Sequence, residues 1–173
     1  MSESLFLINQ VIHDLKEDCD YRILWTSSSP DSPSYWLRLP GGSNVPEEVS
    51  LDELSAGIEA GRYSFAPAVW RPVKSGEAGE TALRLRDKAW ELIRDAVTNE
   101  PDIYDPKRRR TILLGIEAAT GTKVPNLYKY IGKYWRYGKI PDALLPDYSA
   151  CGKRRDPYKE SSKRSGRPKV PGA

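Results

Sequence analysis

Apolar positions recur along this chain in two rhythms. Up to about residue 72 they come in short bursts. Leu5-Phe6-Leu7-Ile8 and Val11-Ile12 supply a first apolar stretch, compatible with a strand or a short helix. Tyr21-Arg22-Ile23-Leu24-Trp25 and Tyr35-Trp36-Leu37-Arg38-Leu39 are dense in β-formers. They flank a Ser- and Pro-rich stretch at 27–33, so they predict an outgoing and a returning strand. Gly41-Gly42 predicts the next turn. Ser50-Leu51-Asp52-Glu53 has the S-x-x-E spacing in which a hydroxyl caps free helix N–H groups, so a short helix is expected from there to near Gly61. Residues 65–70 add a last candidate strand.

From residue 81 the rhythm becomes helical. Leu83, Ala89, Trp90, Ile93 and Val97 share one face of a helix that Pro101 closes. Asp105-Pro106 opens the next helix. The Asp side chain caps it, and Pro at the first position forfeits no bond. Ile112, Leu113, Ile116 and Ala119 are its expected inner stripe, and Gly121 its left-handed stop. Thr122 is positioned to cap a further helix over 124–137. At about 100° per residue, Val124, Leu127, Ile131, Tyr134 and Trp135 fall on one side of that helix. Asn126, Lys129, Lys133 and Arg136 fall on the other, with Tyr130 and Tyr137 at the edge. Residues 140–148 form a Pro-bounded exit, with Ala143, Leu144 and Leu145 packing back.

The predicted fold class is therefore α+β. A small β-rich, barrel-like unit (1–72) and a linker (73–80) precede a trihelical helix-turn-helix domain (81–148). A basic extended tail (149–173) follows. The four aromatics Tyr21, Trp25, Tyr35 and Trp36 read as core of the first unit.

Charge then adds a partner. Residues 1–100 carry 10 Lys and Arg against 17 Asp and Glu, a balance of −7; residues 101–173 carry 17 against 7, a balance of +10. A basic second half points to a polyanion. Arg108, Arg109 and Arg110 sit in a helix first turn, the unfavourable end for cations. A phosphate partner explains them. The 124–137 helix has three cations, an amide and no acid on its polar face. Lys and Arg bind phosphates or guanine edges, and Asn pairs with adenine.

These residues predict double-stranded DNA as partner. Base readout is assigned to Lys123, Asn126, Lys129, Tyr130 and Lys133. Phosphate anchoring is assigned to Arg108, Arg109, Arg110, Arg136, Tyr137 and Lys139. In the tail, Arg164, Arg167 and Lys169 surround a Gly-Arg-Pro core. Such a narrow extended segment suits a minor groove.

Other classes find little support. One histidine and two distant cysteines make no metal cluster, so no metal or cofactor is expected. A disulfide between Cys19 and Cys151 stays open in principle, with a reduced compartment the expectation. Neither an apolar run of membrane-spanning length nor a signal peptide is evident, so no membrane partner and a cytoplasmic location are expected. The carboxylates are scattered and no Gly-rich loop follows a strand, so this chain is not expected to be an enzyme. The alternative to DNA binding is a protein-interaction adaptor that uses the β-rich unit as its surface.

One stretch also resembles a known family. Tyr128, Ile131, Tyr134, Trp135 and Gly138, then Pro141, Ala143, Leu144, Pro146, Asp147 and Tyr148, resemble the N-terminal region of the TnsB family. These are the DDE-class transposase subunits of Tns-type, Mu-related transposons. Tyr104-Asp105-Pro106 matches the opening of the preceding helix, and Tyr21-Arg22-Ile23-Leu24 is similar to the family's small β unit. Gly132 and Pro125 are less usual at their positions. The resemblance implies specific binding to repeats in transposon ends. It also implies, for the full-length protein, an endonuclease subunit and an ATPase regulator as partners. Family members continue into a second DNA-binding domain and a metal-binding catalytic core, which this sequence is expected to lack.

Overall fold

A computed structural model describes residues 6–29, 33–39, 43–68, 76 and 78–147. Five antiparallel strands form one open sheet: β1 (Val11–Asp14), β2 (Cys19–Trp25), β3 (Ser34–Leu39), β4 (Glu47–Val49) and β5 (Tyr63–Ala66). Their order is β4-β3-β2-β1-β5. The expected barrel is therefore not formed. Closure would need β4 to pair with β5, and these lie at opposite edges. β2 and β3 are where β-branched and aromatic density predicts them. The first strand starts later than its apolar lead-in. Leu7 and Ile8 are exposed, and Asn9 turns the chain at φ 72°. β5 likewise begins at Tyr63 rather than Phe65.

Helix α1 (Leu51–Glu59) starts as its capping spacing requires. The Ser50 Oγ accepts from the Glu53 amide at 3.4 Å, and the chain turns away at Gly61 with φ 72°. Together α1 and the sheet bury Phe6, Ile12, Tyr21, Ile23, Trp36 and Leu54. Tyr21 stacks on Trp36 at 4.0 Å between centroids.

The sheet's second face meets the helices. α2 (Glu80–Val97), α3 (Pro106–Thr120) and α4 (Val124–Arg136) are followed by a short 3-10 turn over Pro141–Leu144. Leu24, Tyr35 and Leu37 of the sheet share one core with Ala89, Ile93, Leu113, Leu127, Ile131 and Trp135. Tyr35, Trp36 and Leu37 are all buried in succession because both faces of β3 are covered. An aromatic series crosses the junction. Tyr35 lies 5.3 Å from Tyr104, and Tyr104 lies 5.6 Å from Trp135 on α4. Each such pair contributes about 0.5–1.5 kcal/mol beyond its area. The sheet thus fixes where α4 sits.

Candidate nucleic-acid interface

The site is built on the α3–turn–α4 segment. Asp105 accepts from the Arg108 amide at 2.8 Å, and Pro106 occupies the first turn of α3. Gly121 ends α3 in the left-handed region at φ 73°, a conformation any side chain would strain. Two further residues reach α4. Its cap position belongs to Lys123, whose side chain makes no capping bond. The expected Thr122 cap does not form. The Thr122 amide instead donates to Thr120 Oγ1 at 3.2 Å.

α4 buries Leu127, Ile131, Tyr134 and Trp135, as its wheel predicts, and Gly132 as well. Its sequence holds no carboxylate, and Lys133 and Arg136 occupy its last turn, where cations complement the negative end of the helix dipole. Lys123, Asn126 and Lys129 are exposed. Tyr130, Lys133, Arg136 and Tyr137 are partly buried. Lys123 Nζ pairs with Glu117 at 2.9 Å, and this partner holds the Glu117 carboxyl below its usual range.

The three arginines of α3 separate. Arg110 is exposed. Arg108 is exposed but paired with Asp102. Arg109 is 2% exposed and belongs to the interior, so its phosphate assignment is corrected. Its Nη1 donates to the Tyr104 carbonyl at 2.8 Å and the Ile103 carbonyl at 3.4 Å. The signal was present in the sequence: 109, 112, 113 and 116 follow the i, i+3, i+4, i+7 spacing of one helix face. Ala119, placed on that stripe, is exposed instead.

Lys139 is a second correction. It follows Gly138 at φ 58°, and its side chain is only 12% exposed. Its ammonium pairs with Glu100 and donates to the Leu24 carbonyl at 3.3 Å. The Tyr104 hydroxyl donates to the same Glu100 at 2.6 Å. Burial, with the Glu100 carboxylate beside it, pushes that hydroxyl far above its usual range, so it stays a donor. Asn9 adds a further tie, donating from Nδ2 to the Gly138 carbonyl at 3.1 Å. Sequence patterning did not mark Asn9 or Glu100, whose partners lie 129 and 39 residues away.

The tail residues Arg164, Arg167 and Lys169 lie outside the described residues, as do Tyr148 and Cys151. Among the described residues no group of three His, Cys, Asp or Glu is arranged to hold a metal, and no helix is long and apolar enough to cross a membrane.

Residues 86–148, from within α2 to beyond the 3-10 exit, match the family model described as the TnsB second domain. The chain is also similar to the transposon Tn7 transposition protein TnsB of Escherichia coli, at 26% identity over 150 residues. That match covers 86% of this chain and 20% of the relative, so the chain spans about a fifth of the relative's length.

Proposed function

Starting from a chain that carries a TnsB-like N-terminal region, we propose that it binds double-stranded DNA at transposon-end repeats as part of a transposase. The α3–turn–α4 segment acts as a helix-turn-helix, with α4 in the major groove. The carrying observation is the α4 surface: exposed Asn126 and Lys129, partly exposed Lys133 and Arg136, and no acid anywhere on the helix.

Lys123, Asn126, Lys129, Tyr130 and Lys133 read bases. Asn offers adenine a paired donor and acceptor, and Lys donates to guanine O6 and N7. Arg108, Arg110, Arg136 and Tyr137 hold phosphates, Arg108 by exchanging Asp102 for one. Arg109 and Lys139 act indirectly by fixing both ends of the element. Arg164, Arg167 and Lys169 extend the grip into a minor groove. The domain limits at 72, 80 and 148 are part of the proposal, as are the endonuclease and ATPase partners of a full-length protein.

The test is a binding titration of the full chain on transposon-end repeats and on shuffled duplex at about 150 mM salt, repeated across salt concentrations. Each neutralised phosphate adds about 0.9 to the log–log salt slope. A steep slope with preference for the repeats supports the reading. Equal binding to both duplexes favours the adaptor alternative.

A further inference from the structure

α4 begins without a capping side chain of its own, yet every amide of its first turn is accounted for. Pro125 has no N–H. The Asn126 and Leu127 amides donate to the Lys123 carbonyl at 2.8 and 3.3 Å. The Val124 amide donates to the side-chain carboxylate of Glu117, on α3. The same carboxylate accepts from Lys123 Nζ at 2.9 Å. Glu117 also holds the turn through its backbone, because its carbonyl accepts from the Gly121 amide at 2.8 Å. It follows Leu113, which shares a core with Leu127 and Ile131 of α4, by one helical turn.

A helix N-terminus is where backbone amides ordinarily take up a phosphate. Here a carboxylate already fills that place. The Glu117 side chain is only 25% exposed, so its surroundings hold it against α4. A phosphate brought to this spot meets a fixed negative charge, and like charges set side by side are disfavoured. Lys123 is 75% exposed and spends one donor on Glu117, whereas an ammonium has three. The other two remain available to a base edge.

Given the DNA-binding role proposed for α4, on which this rests, we propose that Glu117 is a specificity-determining positioning residue. It bars phosphate from the N-terminal end of α4 and turns Lys123 from a general phosphate contact into a base-reading one.

The test titrates the full chain on transposon-end repeats and on shuffled duplex across salt concentrations. Glu117→Gln removes the charge and keeps an oxygen for the Val124 amide. It should bind shuffled duplex several-fold more tightly, with a log–log salt slope steeper by about 0.9 as Lys123 gains a phosphate. The preference for the repeats should shrink. Glu59→Gln, which removes an exposed carboxylate on α1, should alter neither slope nor preference. Lys123→Ala should reduce the preference, leave the slope on shuffled duplex unchanged and abolish the gain from Glu117→Gln. A merely structural cap would shift both duplexes by one factor at constant slope, and that result for Glu117→Gln overturns the inference. So does a slope lowered by about 0.9 in Lys123→Ala, which reads out even where Glu117→Gln fails to fold. A parent chain without preference for the repeats removes the DNA-reading role itself. A parent with that preference and an inert Glu117→Gln leaves the role standing and removes only the part given to Glu117.

Discussion

Arg109→Ala separates a structural arginine from a phosphate anchor, and its size follows from the geometry. The guanidinium donates to one buried carbonyl at 2.8 Å and to a second at 3.4 Å. A hydrogen bond from a charged donor contributes about 1.5–3 kcal/mol, and the longer contact is counted at less than half of that. Alanine also removes buried stem methylenes, at about 0.8 kcal/mol each for the two beyond Cβ. Against this, the native state carries a desolvated charge, and Arg109 Nε is buried without a hydrogen-bond partner among the described residues. The balance is a loss of about 2–4 kcal/mol. For a chain of this size that lowers the melting temperature by on the order of 10 °C. Arg110→Ala, one residue away and on the exposed side, should move stability by less than about 0.5 kcal/mol. The assay is thermal or urea denaturation followed by tryptophan fluorescence. DNA titration at a temperature where both variants are folded completes the contrast. Arg110→Ala should then lower the salt slope by about 0.9 and Arg109→Ala should leave it unchanged. A melting temperature for Arg109→Ala within about 2 °C of the parent (about 0.5 kcal/mol) would show that the buried guanidinium does not hold the helix start.

Three further outcomes are expected. Asn126→Ala should narrow the gap between cognate and random duplex by about 1–3 kcal/mol, read by competition titration; an equal loss on both would remove Asn126 from base readout. Gly121→Ala should cost about 1–2 kcal/mol in urea denaturation, because φ of 73° places Cβ against the following carbonyl oxygen. An unchanged midpoint would mean the turn relaxes into another conformation. Asp14 is buried, and its hydrogen bond from Arg62, at 2.8 Å, holds the carboxyl below its ordinary value of 3.8. A depressed carboxyl stabilises fully above that value and ceases to do so as pH falls through the folded one. The stability gap between the parent and Asp14→Asn should therefore be constant from pH 7 to about 5 and shrink below about pH 4. A gap that does not shrink at all as pH falls below about 4 would exclude this pairing as its source.

What the sequence disclosed follows from the range of the forces involved. Caps and stops are local, so Ser50, Asp105, Pro106, Gly121 and Gly138 marked helix ends directly. The inner face of α4 was legible because five bulky residues share one stripe. β4 was not legible: Glu47-Glu48-Val49 has a single β-former and no alternation, and it is a strand because β3 offers an edge. The run Tyr35-Trp36-Leu37 carries the information that both faces of the sheet are covered. Charge alone points Arg109 outward, whereas its spacing with Ile112, Leu113 and Ile116 places it inside. Glu100 and Tyr104 are four residues apart, but Lys139 reaches them only through the chain's path, and local pattern carries no trace of that meeting.

A methylation-protection footprint on a transposon end is the sharpest test of α4 as the reading helix, because guanine N7 lies in the major groove. With the parent chain, protected guanines should be confined to the end repeats. With Lys129→Ala, at a temperature where the variant is still folded, that protection should be lost. Repeats whose guanine N7 atoms stay fully reactive, while the chain is bound to the duplex, would rule out entry of α4 into the major groove.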